Sequence, residues 1–257
     1  MTGPGPKRKK RLFAADLHIH SCLSPCAELD MTPGRIMRRA AEAGLDIVAI
    51  ADHNSCENLE AAARAAGEAG VFLVPAMEIT SLEEVHVLAL FDTLEAAFRM
   101  QEDVYRRLDG LYGEGDRPNG IPPFRQVLVN EEDEVMGFNR RLLAGATDIR
   151  LSSLVAAVHS LGGVVIASHA DRGSFSITSQ LGFVPEGLDF DAFELCGEKE
   201  KQKPFNHRGQ APGLRFSDAH RLEDIGRKRT SFLLEEASLR EIALALKAAR
   251  GRKAVFD

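Results

Sequence analysis

Two histidines, His18 and His20, stand two residues apart in "ADLHIHS", just after Asp16. Further along, "ADHNS" brings Asp52 and His53, "MEIT" Glu78, "EEVHV" His86, "ASHADR" His169 and Arg172, and "SDAH" Asp218 and His220, each at the end of an apolar run. Side chains at i and i+2 of a strand share a face, so His18 and His20 can reach one point, as can Asp218 and His220. Neutral imidazole and carboxylate suit zinc, manganese or iron. A single histidine at a strand end is ordinarily a hydrogen-bonded or surface residue. Repetition of the pattern at successive strand ends points instead to a site for several metal ions. Asp52 and His53 are adjacent and cannot both face inward on a continuing strand, so His53 is read as the ligand and Asp52 as a residue that orients a ligand from behind.

The elements that must position these groups alternate. "RLFAADLHI" reads as a strand, and "TPGRIMRRAAEAG" as a helix with Thr32 as N-cap, Pro33 in the first turn and Gly44 at the stop. The segments 45–51, 71–79, 85–91, 162–169, 190–195, 214–218 and 230–236 read as strands, with helices over 56–70, about 151–161 and from Ser238 onward. Repeated strand-then-helix order implies parallel strands and a barrel, which builds its site at the C-terminal strand ends. Residues 93–150 break the rhythm. They read as a mainly helical insertion: a long amphipathic helix, a Gly/Pro loop, then a short strand and another helix, forming either a lid or a rigid decoration.

A chain of 257 residues, 44% of them hydrophobic, can bury a full core. Residues 1–11 read as a basic, solvated tail and 12–257 as one interrupted domain. No apolar run reaches the ~20 residues of a membrane span, and no apolar segment of signal-peptide length follows the basic start, so the expectation is a cytoplasmic protein without membrane contact. The net charge of −6 disfavours a generally attractive surface for nucleic acid. Four cysteines are too few for a disulfide scaffold and are expected to be reduced.

The ordered series "HIH", "DHN", Glu78, His86, "SHADR" and "DAH" resembles the signature of the PHP (polymerase and histidinol phosphatase) domain over roughly residues 12–92 and 151–235. The resemblance implies a distorted seven-stranded (β/α) barrel with two or three divalent metal ions. It implies one ion held by His18, His20, Glu78 and Asp218, a second by His86 and His169 with Glu78 bridging, and a third by His53 and His220. The family often carries Asp or His seven residues beyond the first histidine, where this chain has Pro25. Cys26, Glu28 or Asp30 can substitute, and a carboxylate is favoured because Cys26 can pack as a small apolar residue.

Such a centre implies hydrolysis of a phosphate ester by a metal-bridging hydroxide. Arg172, three residues after His169, either grips the phosphate or is a surface arginine. His159 reads as a helix-end residue, and the loop with Lys201, Lys203, His207 and Arg208 as solvated or as touching substrate. The expected substrate is a small phosphorylated metabolite or nucleotide. Two rivals remain: an exonuclease directed at 5' ends of RNA or DNA, and a non-catalytic metal-binding module.

Overall fold

The computed structural model describes residues 9–108, 125–197 and 211–255. In chain order the elements are β1 (Arg11–Ile19), α1 (Pro33–Glu42), β2 (Ile47–Ile50), α2 (Leu59–Ala69), β3 (Phe72–Leu73), β4 (Ala76–Thr80), β5 (His86–Leu90), α3 (Leu94–Arg107), β6 (Val127–Val129), β7 (Val135–Phe138), α4 (Leu151–Ser160), β8 (Val164–Ala167), α5 (Ile177–Leu181), β9 (Ala192–Glu194), β10 (Gly213–Leu214), β11 (Thr230–Leu234), α6 (Leu239–Leu246) and β12 (Lys253–Val255). Pro33 opens α1, and Gly44 beyond its end takes the left-handed conformation, φ 72°. Thr32 is extended, but its hydroxyl makes no capping bond. Pro75 interrupts the strand expected over 71–79, leaving β3 and β4 as separate pieces.

Two mixed sheets form, with strand orders β12-β11-β1-β2-β3 and β10-β9-β8-β5-β4. The expectation of parallel strands is corrected at four pairings of these sheets: β1 with β11, β11 with β12, β4 with β5, and β5 with β8 are antiparallel. Between β4 and β5 the reason is length, since residues 81–85 cannot make the dozen-residue crossover a parallel pair requires. The two sheets meet through single parallel bridges, His53 to Glu78 and Ile19 to Ala219.

Strands β2, β4, β5, β8 and β9 are buried on both sides. One apolar cluster draws Ala15, Leu17, Ile47, Ala49, Leu88, Leu90, Val164, Ile166, Ala192 and Phe216 from both sheets and is covered by Leu239 and Ile242 of α6. The alternate residues, including Ile19, Val48, Ile50, Met77, Val87 and Val165, pack against α1 to α4.

Within 93–150 the predicted first helix is α3, whose Ala97, Met100 and Val104 join the core. The predicted short strand is β6, and in place of the second predicted helix β7 pairs with it as a hairpin, turned where Asp133 adopts φ 64° and its amide bonds to the Asn130 carbonyl. Asn58 ties that hairpin to the body through Val127 O and Val129 N. The expected tail is shorter than 11 residues, because Arg11 belongs to β1 and pairs with Asp46 at 2.9 Å. Its remainder up to residue 8, the Gly/Pro loop over 109–124 and the loop bearing His207 lie outside the described residues. No helix among the described residues is long and apolar enough to cross a membrane. All four cysteines are free, with Cys22 and Cys56 buried.

Candidate metal centre

The rows of apolar residues between the sheets end in polar ones. Ala51 is followed at i+2 by His53, Ala76 by Glu78, Ala192 by Glu194 and Phe216 by Asp218, while His86 stands two before Leu88. In β1 the register slips between Asp16 and Ile19. Ala15 and Leu17 face the inter-sheet cluster and Ile19 the helix-covered one, so the irregularity re-aims the strand and brings His18 and His20 inward. His169 (φ 29°) and Asp218 (φ 50°) sit in left-handed backbone, a strained conformation common at functional sites.

Glu78 stands at the middle, with five imidazoles around its carboxylate. Its Oε1 is 3.3 Å from His18 Nε2, 3.2 Å from His86 Nδ1 and 3.1 Å from His169 Nε2; its Oε2 is 3.5 Å from His20 Nε2 and 3.2 Å from His53 Nδ1. Asp218 Oδ1 lies 3.5 Å from His18 Nε2 and 3.2 Å from His20 Nε2. All these residues except His53 and Asp218 are buried.

Hydrogen bonds on the far side of the rings fix which nitrogen faces the centre. His18 Nδ1 donates to Glu194 Oε2 at 2.8 Å. Ser24 donates to Asp52 Oδ1 at 2.6 Å, so its oxygen accepts from His20 Nδ1 at 2.9 Å and from the His53 amide at 3.1 Å. Asp52 is further held by the Ser21 amide at 2.7 Å and hydroxyl at 2.5 Å. Asp52 thus acts on His20 through Ser24. With both rings neutral, the form that binds metal, Nε2 of each is left bare, and the two Nε2 atoms face each other at 3.2 Å.

That arrangement tests the fit to metal. Lone pairs of His18, His20, Glu78 and Asp218 converge with no donor among them, and Nδ1 of His53 and of His86 are buried without a hydrogen bond. Acceptors this close repel one another unless a cation lies between them, so the donor set fits divalent metal. The electrostatics agree in sign. Burial opposes charge on His18, but Glu194, Glu78 and Asp218 hold its pKa well above the ordinary value. Burial likewise opposes the Glu78 carboxylate, yet His86 and His18 hold it well below the usual range. His53 is pushed well below its usual value by burial and by His20, and His220 for the same reasons to about 4.

Donor atoms fall into three groups, each within 4.8 Å: His18, His20 and Asp218; His53, Glu78 and His86; and His20, Cys26, His53 and His220. His53 therefore lies against Glu78 as well as in the group with His220. The preference for a carboxylate in place of Pro25 finds no support in these groups, which contain Cys26 and neither Glu28 nor Asp30. Cys26 Sγ reaches 3.1 Å from His220 Nε2, whereas Glu28 turns outward onto Arg221 at 3.0 Å and Asp30 faces Arg35 at 3.7 Å. Arg172 comes to the same face, its Nη1 donating to Asp218 Oδ2 at 2.9 Å and its Nε to Ser174 O at 3.3 Å. His159 stands apart, paired with Asp191 at 2.9 Å.

Three residues of the centre were not picked out from sequence. Glu194 ends an apolar strand as Glu78 does, a signal that was available but had no histidine beside it. Ser24 carries no signal of its own. Phe175, at φ 52°, stacks on His86 with ring centres 4.8 Å apart and takes the His86 amide on its carbonyl at 2.9 Å.

No protein-family model matches the chain, and no curated protein matches it either. Solved structures do. The lesion-specific endonuclease EndoQ of Pyrococcus furiosus superposes over 95% of this chain with TM-score 0.68 at 20% identity. A two-domain protein of Bacteroides vulgatus containing a predicted PHP-like metal-dependent phosphoesterase covers 98% of this chain and 67% of its own, with TM-score 0.54 at 16% identity. An inferred metal-dependent phosphoesterase of Bifidobacterium adolescentis covers 80% of this chain and 87% of its own, with TM-score 0.54 at 22% identity. The chain spans only 58% of the length of EndoQ. Likenesses at this level of identity speak to architecture, and with the mixed sheets and the converging donors they show that this chain has a PHP-type fold.

Proposed function

We propose that the protein is a metal-dependent phosphoesterase acting on a small phosphorylated metabolite or nucleotide. The observation that carries this reading is Glu78, one carboxylate with five imidazole nitrogens around it. His18, His20 and Asp218 would hold one ion and His86 and His169 a second, with Glu78 shared, and His53 and His220 would hold a third. Bound divalent ions supply a water of lowered pKa and charge to offset that developing on phosphorus. The chain's own residues do the rest. Glu194 and the Asp52–Ser24 pair keep His18 and His20 in the ligating tautomer. Arg172 grips the phosphate while anchored on Asp218, and buried walls of Ala51, Leu88 and Phe216 below the donors exclude water from that side. We also read β1, β2, β4, β5, β8, β9 and β10 as a seven-stranded barrel of the distorted kind, supported by the bridges at His53–Glu78 and Ile19–Ala219.

A second reading, cleavage at nucleic-acid ends, is favoured by one finding: the likeness extends to EndoQ bound to a 27-mer duplex with an abasic lesion at its active site, again over 95% of this chain. The part of EndoQ that this chain does not span and the net charge of −6 weigh the other way. The test is a screen of phosphorylated metabolites, mononucleotides and 5'-phosphorylated oligonucleotides with manganese, zinc or iron. The expected result is metal-dependent phosphate release from a small ester, abolished by Glu78→Gln. Turnover of oligonucleotides alone selects the second reading, and no turnover of any substrate selects a non-catalytic metal-binding module.

A further inference from the structure

We propose that Phe175 is a stacking platform for a flat aromatic ring in the leaving group of the substrate, so that the site selects ring-bearing phosphate esters over aliphatic ones. It rests on reading the buried cluster as the metal centre of a phosphoesterase and names the part of the substrate beyond the phosphate.

The ring of Phe175 lies on the imidazole of His86, with centres 4.8 Å apart and planes 19° from parallel. His86 turns its edge to the centre, its Nδ1 lying 3.2 Å from Glu78 Oε1. Phe175 therefore stands one ring away from the converging donors. His86 takes one of its faces, yet the residue is 41% exposed, which leaves the other face open to solvent. Burial does not account for the placement. A bulky side chain at φ 52° is strained, and a ring this exposed recovers little by leaving water.

The loop holds the ring in place. The Phe175 carbonyl accepts the His86 amide at 2.9 Å, the Ser176 hydroxyl donates to the Arg172 carbonyl at 2.6 Å, and the Thr178 hydroxyl donates to the Ala170 carbonyl at 2.6 Å. The same loop carries Arg172, whose guanidinium donates to Asp218 at 2.9 Å. One short segment thus sets a guanidinium beside Asp218 and a ring over His86, on two sides of one cluster. A phosphate held by Arg172 leaves its alcohol group in the mouth that Phe175 borders.

Stacking recognises a π-face without hydrogen bonds, so it favours flat rings over sugars and alkyl chains and tolerates different ring edges. The shared chemistry is that of a nucleobase reached through a sugar and of an aryl group on the ester oxygen. The plain alternative is a ring that only shields His86 from water, which leucine would do as well.

The experiment compares matched esters on the manganese-loaded full chain, AMP with ribose 5-phosphate and phenyl phosphate with cyclohexyl phosphate, by the ratio of kcat/KM within each pair. Phe175→Leu is expected to lower the ring-to-aliphatic ratio about 5–100-fold in at least one pair, and Phe175→Trp to keep or raise it. Differences in intrinsic reactivity cancel between variants, and the pair that responds tells a base from a directly attached aryl group. A ratio unchanged in both pairs, with or without a common loss of rate, overturns the proposal and leaves Phe175 a shield. If the variants do not fold, or no ester is turned over, binding of the four phosphonate analogues to wild type decides: the ring-bearing member binds about 5–100-fold tighter in at least one pair, or the proposal is overturned. Ring-selective binding without turnover of any ester counts against the phosphoesterase reading alone. Turnover of esters whose analogues bind without ring preference counts against the platform alone.

Discussion

Nδ1 of His18 lies 2.8 Å from Oε2 of Glu194, with both side chains buried, and the same carboxylate oxygen accepts the His169 amide at 3.0 Å. One acceptor thus fixes the tautomer of one candidate ligand and the backbone of another. Glu194→Gln is nearly isosteric but weakens both bonds, and it is expected to lower metal affinity by about 10–100-fold with the fold retained. Competition with a chelator measures the affinity, and circular dichroism the fold. Unchanged affinity means that Glu194 does not orient the ligands.

Ser24 joins Asp52, His20 and His53 through one hydroxyl. Ser24→Ala leaves the His20 Nδ1 donor and the His53 amide without their acceptor, while Asp52 keeps its two bonds from Ser21, at a cost of about 1–3 kcal/mol. Urea denaturation of the chelated protein checks this, since metal then cannot mask the loss. A shift below the lower figure shows that water replaces the hydroxyl.

Without metal, stability is expected to fall on both sides of pH ~6.5, the ordinary histidine value. His18 has a raised pKa in the folded state, so its contribution is complete below the unfolded value and is lost as pH rises through the folded one. His220 titrates near 4 when folded, so the unfolded chain binds more protons between about 4 and 6.5, and stability falls as pH drops through that window. Denaturation of chelated protein across pH measures both limbs. His220→Asn should make the acid limb shallower, leaving the part that His53 contributes, and leave the alkaline limb unchanged; a uniform effect contradicts the assignment.

Arg172→Ala is expected to keep the metal content and to lower kcat/KM by roughly 10–100-fold, the range of one or two charge-assisted hydrogen bonds to phosphate. Arg172→Lys should recover only part, because the ammonium cannot hold Asp218 and a phosphate in one plane. Wild-type kinetics in Arg172→Ala remove the phosphate role. Loss of metal in its place makes Arg172 a support for Asp218.

Much of the centre was legible because its chemistry follows short-range geometry. The His18–His20 and Asp218–His220 spacings place donors by strand period alone, and the structure gathers those residues with His53, Glu78, His86 and His169 into one cluster. Partners set by tertiary neighbours were not legible. Glu194 meets His18 only because β9 is carried next to β8, and Ser24 meets Asp52 only because the loop after β1 folds back over β2. Strand direction failed where a short connection overrode the alternation, at β4 and β5. Strand β7 was missed because "EVMGF" has no clear alternation, its Val135, Met136 and Phe138 all being exposed.

The junction at His53 and Glu78 gives metal a mechanical part as well as a chemical one. Here the hydrogen-bond ladder between the sheets narrows to the amides of Asn54 and Glu78, which bond to the carbonyls of Glu78 and Asp52 at 2.8 and 3.1 Å. Ions held by donors from both sheets, as proposed above, would act as a rivet across this seam. Stripping them leaves each sheet's own pairing intact and loosens the joint, so amide exchange should quicken first at Asn54 and Glu78 and reach Val87 or Val165 only on global unfolding.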